Sequence, residues 1–269
     1  MTRGPAATPS AGRVPAAMVP LALVAVGFLV LPLVGLLQRT PWSELGSILA
    51  TGEVRDALRL SLVTALCSTA LCLVLGVPLG WVLARAAFPG RRLLRGLVTL
   101  PMVLPPVVGG AALLFALGRR SPVGGVLADT IGFTPFSTTG VVLAQTFVAL
   151  PFLVVTLEGG LRSVDRGLEE AAATLGAGRW TVLRRVTLPQ VAPSLLAGAV
   201  LAWARALGEF GATITFAGNL QGRTQTMPLA VYQTLQGGDQ GAAIVLSLVL
   251  VAVSLAVLVA LRGRWLPTR

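Results

Sequence analysis

Glu169-Glu170-Ala171-Ala172-Ala173-Thr174-Leu175-Gly176-Ala177-Gly178-Arg179-Trp180-Thr181-Val182-Leu183-Arg184-Arg185-Val186-Thr187-Leu188-Pro189 lies inside residues 159–192, the longest polar interruption in a chain otherwise dominated by apolar runs. The stretch reads as two short helices around a glycine break. Asp165 supplies an N-cap, and Glu169 and Glu170 fall early in the following helix, where its dipole favours anions. Ala171 to Leu175 have strong helix propensity, and Gly176 and Gly178 stop the helix. A second amphipathic turn runs from Trp180 to Val186. Leu183 and Val186 lie on one side of it, and Arg184 and Arg185 are free to meet lipid phosphates or a partner's acidic groups. By composition alone this loop fits an interfacial helical hairpin as well as it fits a docking site.

Outward from the loop, the 269-residue chain is 55% hydrophobic and 12% charged, against about 45–50% and about 25% in soluble domains. Six apolar stretches reach the roughly 20 residues that a membrane-crossing helix needs: 17–37, 57–84, 96–118, 139–158, 193–217 and 241–261. Six crossings put both termini on one side. All 21 basic residues are Arg; 14 fall in 1–16, 85–95, 159–192 and 262–269, six on the other side, and Arg205 within a span. The Arg-rich side, with both termini, is therefore cytoplasmic. The first apolar run is too long for a secretory signal and stays as a helix. The organisation expected is a disordered cytoplasmic tail over 1–16, a transmembrane domain over 17–262 and a short cytoplasmic tail over 263–269.

The same counts exclude much chemistry. Without Lys there is no phosphate-binding Walker A loop and no Schiff-base enzyme, and without His there is no Ser-His-Asp triad or imidazole proton shuttle. Two cysteines, Cys67 and Cys72, are too few for a zinc or iron–sulfur site, and along one helix they stand too far apart to bridge. No metal, no cofactor and no catalytic residue is expected. About +10 of the net +11 falls on the cytoplasmic side, so the charge signals topology and docking, and no nucleic-acid partner is called for.

Three further features stand out. Arg205 and Glu209 sit a turn apart within the fifth span, where an ionisable residue faces the bundle interior or a cavity and pairs. The flanking Ala204, Gly208 and Ala212 form a small-residue stripe for close helix approach. The third span carries Leu100-Pro101-Met102-Val103-Leu104-Pro105-Pro106-Val107-Val108-Gly109-Gly110 and cannot be a regular lipid-facing helix throughout. A break lining a path and a kink needed only for packing fit it equally. Finally, Gly222-Arg223-Thr224-Gln225-Thr226 lies in an outer loop whose polar groups could donate hydrogen bonds to an oxyanion.

Glu170-Ala171-Ala172, Gly176 and Val186-x-Leu188-Pro189 resemble the E-A-A-x3-G-x9-I-x-L-P loop of ABC importer permeases, with Val for Ile as the departure. The Leu-Pro-x-x-Leu-Pro-Pro run, Gly208-Glu209-Phe210-Gly211-Ala212-Thr213 and Gly222 to Thr226 resemble the molybdate branch of the molybdate/sulfate group, over roughly 55–262. The resemblance implies an all-α, six-span, MetI-like permease fold and a coupling loop, 159–192, that seats on a separate ATPase through Glu170, Ala171, Ala172, Gly176, Val186, Leu188 and Pro189. It also implies a homodimer in the lipid bilayer, two cytoplasmic ABC ATPase subunits and an extracytoplasmic molybdate-binding protein. Arg205, Glu209, Gly211, Thr213, Arg223 and Thr224 are the expected pathway or gate residues. The same architecture serves sulfate, thiosulfate or tungstate; a membrane-embedded enzyme is the rival from another class, opposed by the missing His and Lys, and a proton-coupled secondary transporter is a third reading, opposed by the E-A-A loop.

Overall fold

The computed structural model describes residues 18–265; the predicted N-terminal tail and residues 266–269 lie outside them. Among the described residues every regular element is helical. In chain order these are α1 (Met18–Arg39), α2 (Leu45–Ala50), α3 (Gly52–Arg85), α4 (Arg91–Val103), α5 (Pro106–Leu117), α6 (Pro122–Ile131) and α7 (Thr138–Ser163). There follow α8 (Arg166–Thr174), α9 (Arg179–Val182), a π-helical turn (Leu183–Thr187), α10 (Leu188–Leu207), α11 (Gly211–Phe216), α12 (Met227–Gln236) and α13 (Gln240–Trp265). Five helices are long and apolar enough to cross a bilayer, and α4 with α5, bent by 118°, make a sixth if the pair is one broken span rather than a re-entrant loop.

The core is built on α7, with α3 and α10 packed against it. Lipid tails are as apolar as leucine, so helices in a bilayer associate through close packing rather than through burial from water. The sequence supplies the small residues this needs. On α3 the buried positions Ala57, Ser61, Ala65, Ser68, Cys72, Gly76 and Gly80 recur at helical spacing. Leu153 of α7 fits between two glycines: a Cβ on Gly76 of α3 would stand 2.8 Å from one of its methyls, and a Cβ on Gly198 of α10 would stand 3.1 Å from the other. Ala65, Cys72, Ala149, Ala202, Trp203 and Leu207 complete this cluster. By contrast α1 is apolar along its length, packs chiefly against α13, and exposes Leu21, Val24, Phe28 and Leu31 as a lipid-facing helix does. Cys67 and Cys72 are both free.

The effect of each proline depends on its neighbours. Pro78, Pro101 and Pro151 remain inside helices. The break falls where Pro105 and Pro106 are adjacent: Leu104 and Pro105 each precede a proline, and both adopt extended ψ, 135° and 131°. A residue before proline is pushed out of the helical region by the pyrrolidine ring, so two in succession turn the chain. Pro106 then starts α5, at a position where no backbone donor is needed.

The fifth span differs from expectation at both ends. Rather than a separate turn followed by a span from 193, one helix runs from Arg179 to Leu207. The π turn makes this continuity possible. Leu188 N–H donates to the carbonyl of Leu183, five residues back, and the wider turn accommodates Pro189, which lacks a donor and whose ring would otherwise crowd the preceding turn. At the other end the helix stops at Leu207, so Arg205 lies in its last turn and Glu209 in a break rather than mid-helix. The Ala204, Gly208, Ala212 stripe is divided by the same break. The sixth span, Gln240–Ala260, matches the expected 241–261, and its helix runs on to Trp265.

Candidate functional site

Two regions gather the residues singled out in the sequence. The first lies where the two helix breaks meet. α5 comes after the Pro105–Pro106 turn and α11 after the Gly208–Phe210 break, and these half-helices pack on each other backbone to backbone. A Cβ on Gly110 would stand 2.7 Å from the carbonyl oxygen of Ala212 and 2.8 Å from its Cα. A Cβ on Gly211 would stand 2.7 Å from Cβ of Pro106. Glycine is required at both positions by approach distance alone.

Glu209 bridges the break. Its carboxylate is 1% exposed; Oε2 lies 2.6 Å from Arg205 Nη1, at the end of α10, and Oε1 accepts from Ala212 N–H at 2.8 Å, at the start of α11. One side chain thus holds both sides of an interrupted span, and a cation and a freed backbone donor balance its buried charge. Arg205 is partly exposed, 27% by side chain. Thr213 is fully buried, and its hydroxyl has no hydrogen-bond partner among the described residues.

The loop between α11 and α13 is more regular than its polar composition suggests. It contains α12, and Thr224, Gln225, Thr226 and Met227 are buried. Thr224 closes a turn by accepting from Leu220 N–H at 2.8 Å. Met227 N–H donates to Ser61 Oγ of α3 at 2.7 Å, and the carbonyl of Arg223 accepts from Thr138 Oγ1 at the start of α7 at 2.9 Å. The Arg223 side chain is exposed. Arg223 and Thr224 therefore belong to this pinned turn, whereas Arg205, Glu209, Gly211 and Thr213 belong to the break.

The second region is the loop over residues 159–192. Asp165 caps α8 by accepting from Gly167 N–H at 2.8 Å. Gly176 ends it at φ +84°, with Gly176 N–H donating to Ala173 and Ala177 N–H donating to Ala172, both at 3.0 Å. This is the glycine-terminated closure that satisfies the last helical carbonyls. Gly178 does not stop α8 but precedes α9 as its cap. The loop turns apolar side chains outward: Leu175 is 88% exposed and Trp180 66%, with Leu168 and Leu188 also exposed. Glu170, Ala171 and Pro189 are exposed beside them, and Ala172 and Val186 are half-buried. Large apolar groups exposed on a charged, glycine-hinged loop form the kind of patch that marks a protein or membrane contact.

Sequence reading missed the polar links behind this surface. Glu169 receives both terminal nitrogens of Arg85, at 2.9 and 3.0 Å, and the hydroxyl of Thr187 at 2.6 Å. Glu158, buried in α7, meets Arg95 of α4 and, at 2.7 Å, Arg162. The excess of Arg on this side was visible, but not which Arg faces which carboxylate.

Five helices able to cross a bilayer, a sharply bent helix pair and a loop that exposes large apolar side chains define a multi-pass membrane protein. The chain belongs to the family of binding-protein-dependent transport system inner membrane components, whose pattern matches residues 76–266. It is 48% identical over 243 residues to the molybdenum transport system permease protein ModB of Mycobacterium tuberculosis, covering 90% of this chain and 92% of that one. It is 35% identical over 233 residues to the sulfate transport system permease protein CysT of Escherichia coli, covering 86% and 84%. Among solved structures it resembles a bacterial ABC transporter involved in the import of the acidic polysaccharide alginate, with TM-score 0.71 at 19% identity over 92% of each chain. At that identity the likeness concerns the fold, an all-α ABC permease of the inner membrane.

Proposed function

We propose that this chain is the membrane-spanning half of an ATP-driven importer of molybdate, acting by alternating access. The observation that carries the reading is its likeness to a molybdenum permease along nine-tenths of its length, together with a cytoplasmic loop whose apolar side chains face outward. Two copies would form the conduit, each loop would seat on a cytoplasmic ATPase subunit, and an extracytoplasmic binding protein would deliver the anion. Both termini would lie in the cytoplasm, as the distribution of Arg supports. Hydrolysis would belong to the ATPase, whose closure would move α8 and α9 and rock the attached spans between inward- and outward-open states.

Each site residue then has a role. Glu170, Ala171, Ala172 and Leu175 form the contact with the ATPase, Gly176 sets the turn that presents it, and Val186, Leu188 and Pro189 lead into the fifth-span helix. Arg205 offers a cation to the pathway and is held from overly tight anion capture by Glu209. Gly211 and Thr213 shape the break, and Arg223 and Thr224 shape the outer mouth.

A sulfate permease is the second reading, favoured by the shared architecture with a sulfate relative and weakened by the lower identity to it. Uptake of labelled molybdate into liposomes holding the complete complex, competed with sulfate and with tungstate, separates the two. Molybdate import predicts poor competition by sulfate, and the tungstate arm reads how far the two larger oxyanions are told apart; equal competition by sulfate would remove the molybdate assignment and leave the importer standing.

A further inference from the structure

We infer that Glu169 is a positioning residue that carries movement of the cytoplasmic loop into the membrane bundle through Arg85 and Thr187; this rests on the importer reading above. Neighbouring helical residues point about 100° apart, and here the difference assigns two carboxylates two tasks. Glu170 faces outward, whereas both oxygens of Glu169 are committed inward. Oε2 accepts from Arg85 Nη1 at 3.0 Å, and Oε1 accepts from Arg85 Nη2 at 2.9 Å and from Thr187 Oγ1 at 2.6 Å. A two-pronged contact of this kind fixes direction as well as distance, which an ammonium on a flexible stem cannot do.

The three partners belong to three different elements. Arg85 ends the second-span helix α3, where a cation also suits the helix dipole, and its guanidinium lies 5.9 Å from the centre of the Trp81 ring. Thr187 is buried in the π turn of the helix that continues as the fifth span. The other packing of α8 is with α9 and that same turn, across the hinge at Gly176 with its positive φ. A push on the exposed face of α8 therefore reaches spans two and five together through one carboxylate, rather than dissipating at the glycine hinge. The pair is only partly solvated, with side chains 17% and 19% exposed, so it is less screened than a surface ion pair.

The test measures labelled molybdate taken up per ATP hydrolysed by the reconstituted complex of this chain, its ATPase and its binding protein. Glu169→Ala is expected to lower that ratio by about tenfold, within the span typical of coupling between two sites, while the ATPase still co-purifies. Thr187→Val, which keeps shape and removes the hydroxyl, is expected to lower it by a few fold and serves as the deciding variant if the Glu169→Ala chain itself does not fold into the membrane. Exchanging the charges, Arg85→Glu with Glu169→Arg, is expected to recover part of the ratio lost in either single change. An unaltered ratio in Glu169→Ala, loss of the ATPase from that variant, or no recovery on exchange would overturn the inference. Absence of ATP-driven uptake by the wild-type complex would instead remove the importer reading itself.

Discussion

Replacing Gly110 by Ala adds one methyl group at the tightest point between the two interrupted spans. The new Cβ would stand 2.7 Å from the carbonyl oxygen of Ala212, 2.8 Å from its Cα and 2.9 Å from Cβ of Thr215. Carbon atoms prefer about 3.5–4.0 Å, so α5 and α11 must part by close to an ångström. The nearest atoms are backbone, so no side-chain rotation relieves the clash. Overpacking of this kind costs about 1–3 kcal/mol, and the separation also disturbs the contact of Gly211 with Pro106. The neighbouring position supplies the control. A Cβ on Gly109 would meet only the rim of the Phe147 ring, at 3.1 Å, and a ring can swing. Purified complexes carrying each change would be compared by thermal unfolding and by uptake per unit of protein. Gly110→Ala is expected to lower both clearly, and Gly109→Ala only slightly. Equal effects from the two, or none from Gly110→Ala, would refute the claim that backbone contact between the half-helices holds this site.

Further expectations concern the ion pair and the loop. Glu209→Ala removes the partner of Arg205 and the acceptor for Ala212 N–H; breaking a buried pair costs about 3–5 kcal/mol, so membrane levels of the folded protein should fall, and wild-type levels with wild-type uptake would show the pair to be dispensable. Gly176→Ala places a side chain at φ +84°, a left-handed conformation costing about 1–2 kcal/mol, and should weaken co-purification of the ATPase while leaving the bundle's unfolding temperature unchanged. Glu170→Ala, at an exposed position, should likewise reduce ATPase recruitment without destabilising the chain; unchanged recruitment would remove Glu170 from the contact.

The parts of this fold that arise from local chemistry were readable in the sequence. Apolar runs located the crossings, Asp165 and Gly176 bounded α8, and the adjacent prolines at 105 and 106 marked the break in the third span. Features set by distant partners were not. Gly110 and Gly211 stand about a hundred residues apart, and nothing local in either says that each faces the other's half-helix. Glu169 and Glu170 look alike in the sequence, yet one turns inward and the other outward, because that depends on where Arg85 ends the second span. α12 went unseen because its ten residues are too few and too mixed to register as an apolar run. The continuous helix through Pro189 was hidden for a different reason: proline argues against helix, and only the π turn before it removes the conflict.

The most direct test of the account is ATP-dependent accumulation of labelled molybdate in liposomes, comparing this chain alone with the chain assembled with its ATPase and binding protein. The account predicts accumulation only in the complete system, abolished when ATP is withheld and unaffected by a proton gradient. Proton-driven accumulation by the chain alone would contradict it.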